Sequence, residues 1–313
     1  MRKVALRWLA LALVVAVSLR AFGTSLDTAW DKVRADPPAL GWPVIAAWLL
    51  FAAAVPVSGW LWGRVLQRLE STRVGAADAI VTHCFSWLLK YLPGQIAALV
   101  YKLVWAEKRG LGKTGTGLSF VYENLFVQVA SWAPALLILP HATLGARIGN
   151  DSLLAACGAL AAMVTIVFAL GPGVGLLLKL VRKRGKLTAG QGQFGTLSPA
   201  ASARFMALYL LPRLLNAVAF VLICLHITPV EPAQMPALGA IYVLAGAIGV
   251  LAVFVPSGLG VREAAIILLA APLLGSSTAI IAAFLARFVS IASDALVLVF
   301  AIALRALHVR NPV

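Results

Sequence analysis

The chain has 313 residues, of which 62% are hydrophobic, and its mean hydropathy is +0.96. Only 12% of the residues are charged, which excludes a soluble globular domain because such a domain could not bury this much apolar surface. The net charge of +15 would suggest a nucleic-acid partner in a soluble protein, but in a membrane protein lysine and arginine fix the topology and contact anionic lipid, so no nucleic-acid partner is expected.

Long apolar runs predict six membrane-spanning segments, since about 20 apolar residues are needed to cross a bilayer as a helix. The runs are continuous rather than alternating, which favours α-helices over the strands of a barrel. The first run could be a secretory signal peptide, but no clear small-residue cleavage site follows it, so it is interpreted as a retained span. The predicted spans are residues 4–22, 41–63, 115–139, 151–178, 204–226 and 277–304.

Two further apolar regions are interrupted by proline and glycine. Residues 78–106 are divided at Pro93 and Gly94, and residues 239–274 are divided between Pro256 and Gly260. Three of the four resulting arms are too short to span a bilayer, and the arm before Pro256 is marginal. Both regions are therefore predicted to be re-entrant helical hairpins. Short interrupted segments at matching positions of two halves indicate a transporter binding site.

The distribution of lysine and arginine supports this topology. With the N-terminus inside and both hairpins leaving on the side they entered, 17 of the 26 cations lie on the cytoplasmic side and four outside. If residues 78–106 crossed once, the six cations between 179 and 204 would move outside, so that alternative is rejected. Both termini are predicted to be cytoplasmic. Five cations remain within the membrane region: Lys90, Lys102, Arg213, Arg262 and Arg287.

The order of segments predicts an internal repeat. Residues 1–139 and residues 151–304 each comprise two spans, a hairpin and a further span, and the two units begin on opposite sides of the membrane. The expected fold is therefore an all-α polytopic membrane protein, with one membrane domain over residues 1–313 arranged as an inverted-topology repeat. The two hairpin tips should approach each other near the midplane.

The second hairpin provides candidate binding residues at its tip. Pro256, Ser257, Gly258 and Gly260 should end one helix, and a new helix should begin near Val261. Its free N–H groups would attract an anion, and Arg262 would add a planar donor fork suited to phosphate. The alternative is a kinked span in which Arg262 and Glu263 pair with each other or reach water.

The first hairpin has the same kind of tip. Lys90 precedes the break at Pro93 and Gly94, and Gln95 adds an amide near the start of the second arm. The alternative is that Lys90 extends to a membrane interface, and Lys102 is expected to do so near the cytoplasmic end.

The span after each hairpin contains charged residues within its apolar sequence. Glu123 and Asp294 are candidate cavity residues, and Arg287 shares a helix face with Asp294 at a spacing of nearly two turns. Arg287 and Asp294 could both face the cavity or pair with Glu263 and Arg262, and a purely structural ion-pair cluster is the other interpretation. Arg213, beside Pro212, is a weaker candidate for the cavity lining.

Motifs of catalysis and metal binding are missing from the sequence. The three cysteines and four histidines lack metal or disulfide spacing, and no nucleophile elbow or paired-carboxylate signature is present. A glycine-rich match at residues 190–195 follows no strand, so it does not indicate dinucleotide binding. We therefore expect no enzyme activity, no cofactor and no metal site.

Three short motifs carry a family resemblance that extends over nearly the whole chain. They are VPSGLGVREAA (255–265), YLPGQ (91–95) and VYENL (121–125). The chain resembles the lysylphosphatidylglycerol synthase transmembrane-region family, although Ser257 stands where that family usually has glycine. The aminoacyl-transferase domain of the synthase is missing from this sequence, so the resemblance implies lipid translocation rather than lysyl transfer.

Together these features predict a lipid flippase or lipid transporter of an inner membrane. The expected substrate is an anionic phospholipid, a lipid-linked sugar or a hopanoid-type lipid, whose head group would lie between the hairpin tips during alternating access. The alternative is a non-transporting membrane partner or scaffold of a lipid-synthesising or lipid-modifying enzyme. An intramembrane enzyme is a third interpretation, against which the missing catalytic motifs argue.

Overall fold

The structure is a computed structural model that describes residues 41–70, 72–91, 96–143, 195–252 and 255–310, with isolated positions between 154 and 176. These residues are helical, with no strand among them. Three short 3-10 turns, at Leu89–Tyr91, Pro232–Gln234 and Pro256–Gly258, lie between the helices. The helices are α1 (Trp42–Glu70), α2 (Ala76–Leu88), α3 (Ile96–Glu107), α4 (Lys113–Thr143), α5 (Pro199–Leu208), α6 (Leu210–Ile227), α7 (Met235–Leu251), α8 (Val261–Leu274) and α9 (Ser276–Arg310).

Five helical segments within the described residues are long and apolar enough to cross a membrane, which agrees with a multi-pass, all-α membrane protein. Four of them coincide with predicted spans. The predicted span at 4–22, most of the one at 151–178, and the residues Pro93, Gly94 and Gln95 lie outside the described residues. The five segments are Trp42–Glu70, Lys113–Leu139, Pro199–Ile227, Pro232–Leu251 and Ser276–Leu307.

The fifth segment corrects one prediction. The first arm of the second hairpin was expected to begin at Gly239 and to be only marginally long, but the helical segment begins at Pro232 and has 20 residues. The turn at Pro232–Gln234 leads directly into α7, with Pro236 in the first helical turn, where its missing N–H costs no hydrogen bond. By length and composition, this arm could cross the membrane.

The first hairpin consists of two antiparallel helices. The rings of Phe85 and Tyr101 lie 6.4 Å apart, and Arg109 donates to Asp78 at 2.7 Å, so residues near the two outer ends of the hairpin are in contact. Helices α2 and α3 have 13 and 12 residues, which corresponds to about 20 Å and 18 Å at 1.5 Å per residue. Each is shorter than the hydrocarbon core of about 30 Å. The chain therefore reverses direction between α2 and α3, which places Asp78 and Arg109 at the same end of the hairpin.

The second hairpin turns through three residues with positive φ. Ser257, Gly258 and Gly260 have φ values of 54°, 62° and 82°, a region that strongly favours glycine. Helix α8 begins at Val261, as predicted. The tip packs closely on α7, because a Cβ built on Gly258 would lie 2.7 Å from the Cα of Gly249.

Replacing Gly258 with alanine is therefore expected to lower the stability of the protein more than replacing Gly110 with alanine. The two glycines have similar positive φ values of 62° and 68°, so both substitutions carry a backbone cost of about 1 kcal/mol, but a Cβ on Gly110 would meet open space. The Gly258 substitution adds a clash with the α7 backbone, for which we expect a further loss of about 1–3 kcal/mol. Thermal unfolding in detergent measures both variants, and equal losses would show that the close approach to Gly249 has no energetic role.

The hairpins meet in the centre of the bundle. The 3-10 turns Leu89–Tyr91 and Pro256–Gly258 contact each other, and α9 packs against both α2 and α8. Helix α1 packs against α6, while α4 packs against α7. The predicted span at 204–226 is divided between α5 and α6 at Tyr209, one turn before Pro212, whose ring removes a helical N–H donor. This break places Arg213 beside the hairpin tips.

Candidate substrate cavity

A cavity of about 200 Å³ lies between the hairpin tips. Its wall comes from α1 to α4 and from α6 to α9, together with the tips of both hairpins. The wall is mixed, with aromatic and aliphatic side chains interrupted by a small number of polar ones, as in many small-molecule sites. The charged and polar residues include His83, Ser86, Lys90, Lys102, Glu123, Asn124, Arg213, Asn216, Tyr242, Ser257, Arg262, Ser290, Ser293 and Asp294.

A buried ion-pair cluster connects the first hairpin to α4. The Lys102 ammonium donates to Glu123 Oε2 at 2.5 Å, and His83 Nδ1 lies 3.1 Å from Glu123 Oε1. The Lys102 side chain is only 2% exposed and lies 4.2 Å from the centre of the Trp62 ring. The expectation that Lys102 extends to the cytoplasmic interface is therefore wrong, because the carboxylate on α4 holds it inside the bundle.

Asp294 on α9 holds the tip of the first hairpin. Its carboxylate accepts hydrogen bonds from Trp87 Nε1 at 3.0 Å, from Lys90 Nζ at 2.9 Å and from the Tyr91 hydroxyl at 2.5 Å. Lys90 also lies 4.3 Å from the centre of the Trp87 ring. The ammonium of Lys90 thus faces the cavity, as predicted, but its charge is already compensated by Asp294.

Arg287, two turns before Asp294, holds the tip of the second hairpin. It donates to the Ser257 carbonyl at 3.3 Å and lies 3.5 Å from Glu263 Oε1. Glu263 Oε2 in turn accepts from the Gly260 N–H at 2.6 Å. The expectation that the start of α8 offers its free N–H groups to a ligand is therefore only partly met, because the acidic residue in its first turn occupies one of them. Of the two predicted pairs, Arg287 with Glu263 forms, whereas Asp294 pairs with Lys90 instead of Arg262.

Arg262 and Arg213 differ from the other cations of the site. The Arg262 guanidinium lies 4.4 Å from the centre of the Tyr242 ring, and it has no hydrogen bond or ion pair with the described residues. The buried Nε of Arg213 and the hydroxyl of Tyr242 also lack a partner among these residues. Buried donors of this kind are normally satisfied, so their presence beside a cavity is consistent with a missing acceptor.

The charges around the cavity do not cancel. Among the described residues that line it, Lys90, Lys102, Arg213 and Arg262 face only two carboxylates, those of Glu123 and Asp294. With His83 neutral, the lining carries an excess of two positive charges. Because isolated charges are costly at low dielectric, this arrangement favours an anionic ligand.

The structure brings together most of the predicted site residues that it describes. Lys90, Glu123, Arg213, Ser257, Gly258, Arg262 and Asp294 line the cavity, whereas Gly260, Glu263 and Arg287 lie behind the second tip and support it. Sequence reasoning missed the contributions of His83, Tyr242, Asn124 and Asn216. His83 and Lys102 lie in the two arms of one hairpin, so their proximity could have been inferred from the sequence. Tyr242 lies within an apolar helix, where no neighbouring residue indicates a binding role.

The part of the chain that the structure describes contains no group of three or more His, Cys, Asp or Glu residues that could hold a metal ion. No protein-family model matches the chain, and no curated protein matches it in sequence.

Proposed function

We propose that this protein transports a lipid with an anionic head group across a membrane. The observation that carries the proposal is the excess of positive charge in a cavity enclosed by two hairpin tips, within a bundle of apolar helices. The head group would bind between the tips while its acyl or prenyl chains remain in the bilayer. In this proposal the chain is a stand-alone relative of the lysylphosphatidylglycerol synthase transmembrane region, located in an inner membrane.

Alternating access between inverted repeats is the mechanism we propose. The packing of the helices supports it, because the last span of each half packs on the hairpin of the other half. Helix α4 packs on the second hairpin, and α9 packs on the first hairpin. Helices α1 and α6, at corresponding positions of the two halves, pack on each other. Rocking of one half against the other would open the cavity to each side in turn.

Translocation in proteoliposomes tests the proposal directly. The purified protein would be reconstituted with fluorescent lipids that differ in head-group charge, and a membrane-impermeant quencher would report which leaflet they occupy. We expect faster exchange of anionic lipids than in protein-free vesicles, with little effect on zwitterionic phosphatidylcholine. Absence of exchange for every lipid, in protein that remains folded, would instead favour a non-transporting partner of a lipid-modifying enzyme.

The proposed topology makes a separate prediction about accessibility. Cysteines introduced at Arg73 and Lys108, which flank the first hairpin, should react only from the cytoplasmic side, whereas cysteines at Glu231 and Ser276 should react only from outside. All four positions are exposed, and Cys157 would be replaced first because it is the exposed native cysteine among the described residues. Impermeant maleimide labelling of intact and permeabilised cells measures this. Labelling of the two members of a pair from opposite sides would show that the region between them crosses the membrane.

A further inference from the structure

We propose that Arg213, Arg262 and the Tyr242 hydroxyl form a binding site for a phosphate monoester, such as the head group of a lipid phosphate. The identity of the lipid rests on the proposed function, but the phosphate site itself is inferred from the chemistry of these three side chains. It assigns a substrate class that the excess of positive charge alone does not define.

The first argument is that these donors lack acceptors while the neighbouring cations have them. Lys90 donates to Asp294 and Lys102 to Glu123. Arg287 donates through a terminal nitrogen to the Ser257 carbonyl and lies beside Glu263, although its Nε also lacks a partner among the described residues. By contrast, Arg213 Nε and the Tyr242 hydroxyl are buried without a partner among the described residues, and Arg262 has no ion pair with them. All three groups can donate, so one ligand with several acceptor oxygens would satisfy them together.

The second argument is that the donors are held in place. The Tyr242 ring stacks with those of Phe220 and Phe51, at ring-centre distances of 4.9 Å and 5.2 Å. The guanidinium of Arg262 rests over that ring, which leaves its N–H groups free to donate away from the ring. Arg213 lies on α6, in the first turn after the break at Tyr209, and lines the same cavity as Arg262. An anion bound in this cavity would therefore face both guanidinium groups.

The third argument is the match of charge and geometry. A planar guanidinium fork binds two phosphate oxygens at once. A phosphate monoester offers three non-bridging oxygens to the two forks, whereas a phosphodiester offers only two. A phosphate monoester carries about −1.5 to −2 at neutral pH, close to the excess of two positive charges around the cavity. A phosphodiester lipid carries a single negative charge and would leave part of that excess uncompensated.

Binding to the purified full-length protein in neutral detergent tests the site. The probes are short-chain phosphatidic acid as the monoester, phosphatidylglycerol of the same chain length as the diester, and inorganic phosphate. Isothermal titration calorimetry would measure affinity. We expect phosphatidic acid to bind at least about tenfold more tightly than phosphatidylglycerol, since one uncompensated charge-assisted contact corresponds to about that factor. Competition by inorganic phosphate would show that the free anion reaches the same site, whereas no competition would show that the lipid chains are required.

Substitutions identify the residues. Arg213→Gln and Arg262→Gln should each weaken phosphatidic acid binding by about tenfold to a hundredfold, and Tyr242→Phe, which removes only the hydroxyl, should weaken it by less. Arg204→Gln is the matched control, because Arg204 is an exposed arginine on the adjoining helix α5. Thermal unfolding of each variant shows whether it remains folded.

Two outcomes would overturn the inference: equal affinity for the monoester and the diester, or unchanged binding in folded Arg213→Gln and Arg262→Gln proteins. Failure of the transport proposal gives a different result from either of these outcomes. If phosphatidic acid binds selectively but no lipid is moved in proteoliposomes, the phosphate site is supported and the transport function is excluded.

Discussion

Replacing Lys102 with methionine is expected to destabilise the protein by about 3–5 kcal/mol, because the substitution leaves the buried Glu123 carboxylate without its main partner. The Lys102 and Glu123 side chains are 2% and 9% exposed, and their charged atoms lie 2.5 Å apart. Methionine retains most of the apolar stem, so the loss reports the charge of Lys102, including the contact of its ammonium with the Trp62 ring, rather than a cavity. Thermal unfolding in detergent, followed by tryptophan fluorescence, measures the effect.

Two matched variants give this result its meaning. Lys113→Met breaks an ion pair with Glu107 at a similar distance of 2.7 Å, but both of its side chains are more than half exposed, so we expect a loss below about 1 kcal/mol. Adding Glu123→Gln to Lys102→Met should restore much of the lost stability, since no uncompensated charge is then buried. A double variant as unstable as the single one would mean that packing, rather than charge compensation, determines the contribution of Lys102.

Replacing Arg262 with alanine is expected to reduce lipid transport by about tenfold to a hundredfold at limiting substrate, with only a small change in stability. A charge-assisted hydrogen bond to a ligand contributes about 1.5–3 kcal/mol, and 1.4 kcal/mol corresponds to a factor of ten. Arg262 makes no ion pair with the described residues, so its removal leaves no carboxylate exposed to an apolar interior. Arg262→Lys should recover only part of the activity because lysine lacks the planar fork.

Arg287→Ala is the matched control for this prediction. Arg287 supports the same hairpin tip but is bonded to the Ser257 carbonyl and lies beside Glu263, whose side chain is 10% exposed. Its removal should cost about 3 kcal/mol of stability by leaving that carboxylate unpaired. Proteoliposome transport and thermal unfolding are measured on both variants. Full transport by Arg262→Ala would exclude Arg262 as a ligand-binding residue, and similar stability losses in the two variants would assign both arginines to the framework.

The elements of the fold that could be predicted are those marked by a local sequence pattern, such as an apolar run or a proline and glycine break. Continuous apolar runs located α1, α4 and α9, and the prolines and glycines at 256–260 located the start of α8 at Val261. The predicted start of the second hairpin at Gly239 is too late by seven residues, because Pro232 and Pro236 lie where a helical segment tolerates a missing N–H.

Pairing between charged residues was harder to predict, because it depends on distances between helices. Arg287 and Glu263 could be related by sequence, since both lie on one hairpin and its following span. Lys90 and Asp294 are 204 residues apart, and only the packing of α9 against the first hairpin brings them together. Lys102 was assigned to the interface because a lysine near the end of a short helix usually extends there, and the opposing carboxylate on α4 could not be located from spacing alone.

Arg287 and Asp294 belong to one continuous helix, and each holds the tip of a different hairpin. Seven residues of α-helix separate them by about 10 Å along the axis, a spacing that a rigid helix keeps constant. An anion that binds the Lys90 ammonium must compete with the Asp294 carboxylate for its N–H donors. A ligand that engages Lys90 would therefore weaken the attachment of the first tip, which Trp87 and Tyr91 would still hold to Asp294, while the attachment of the second tip to Arg287 would be unchanged.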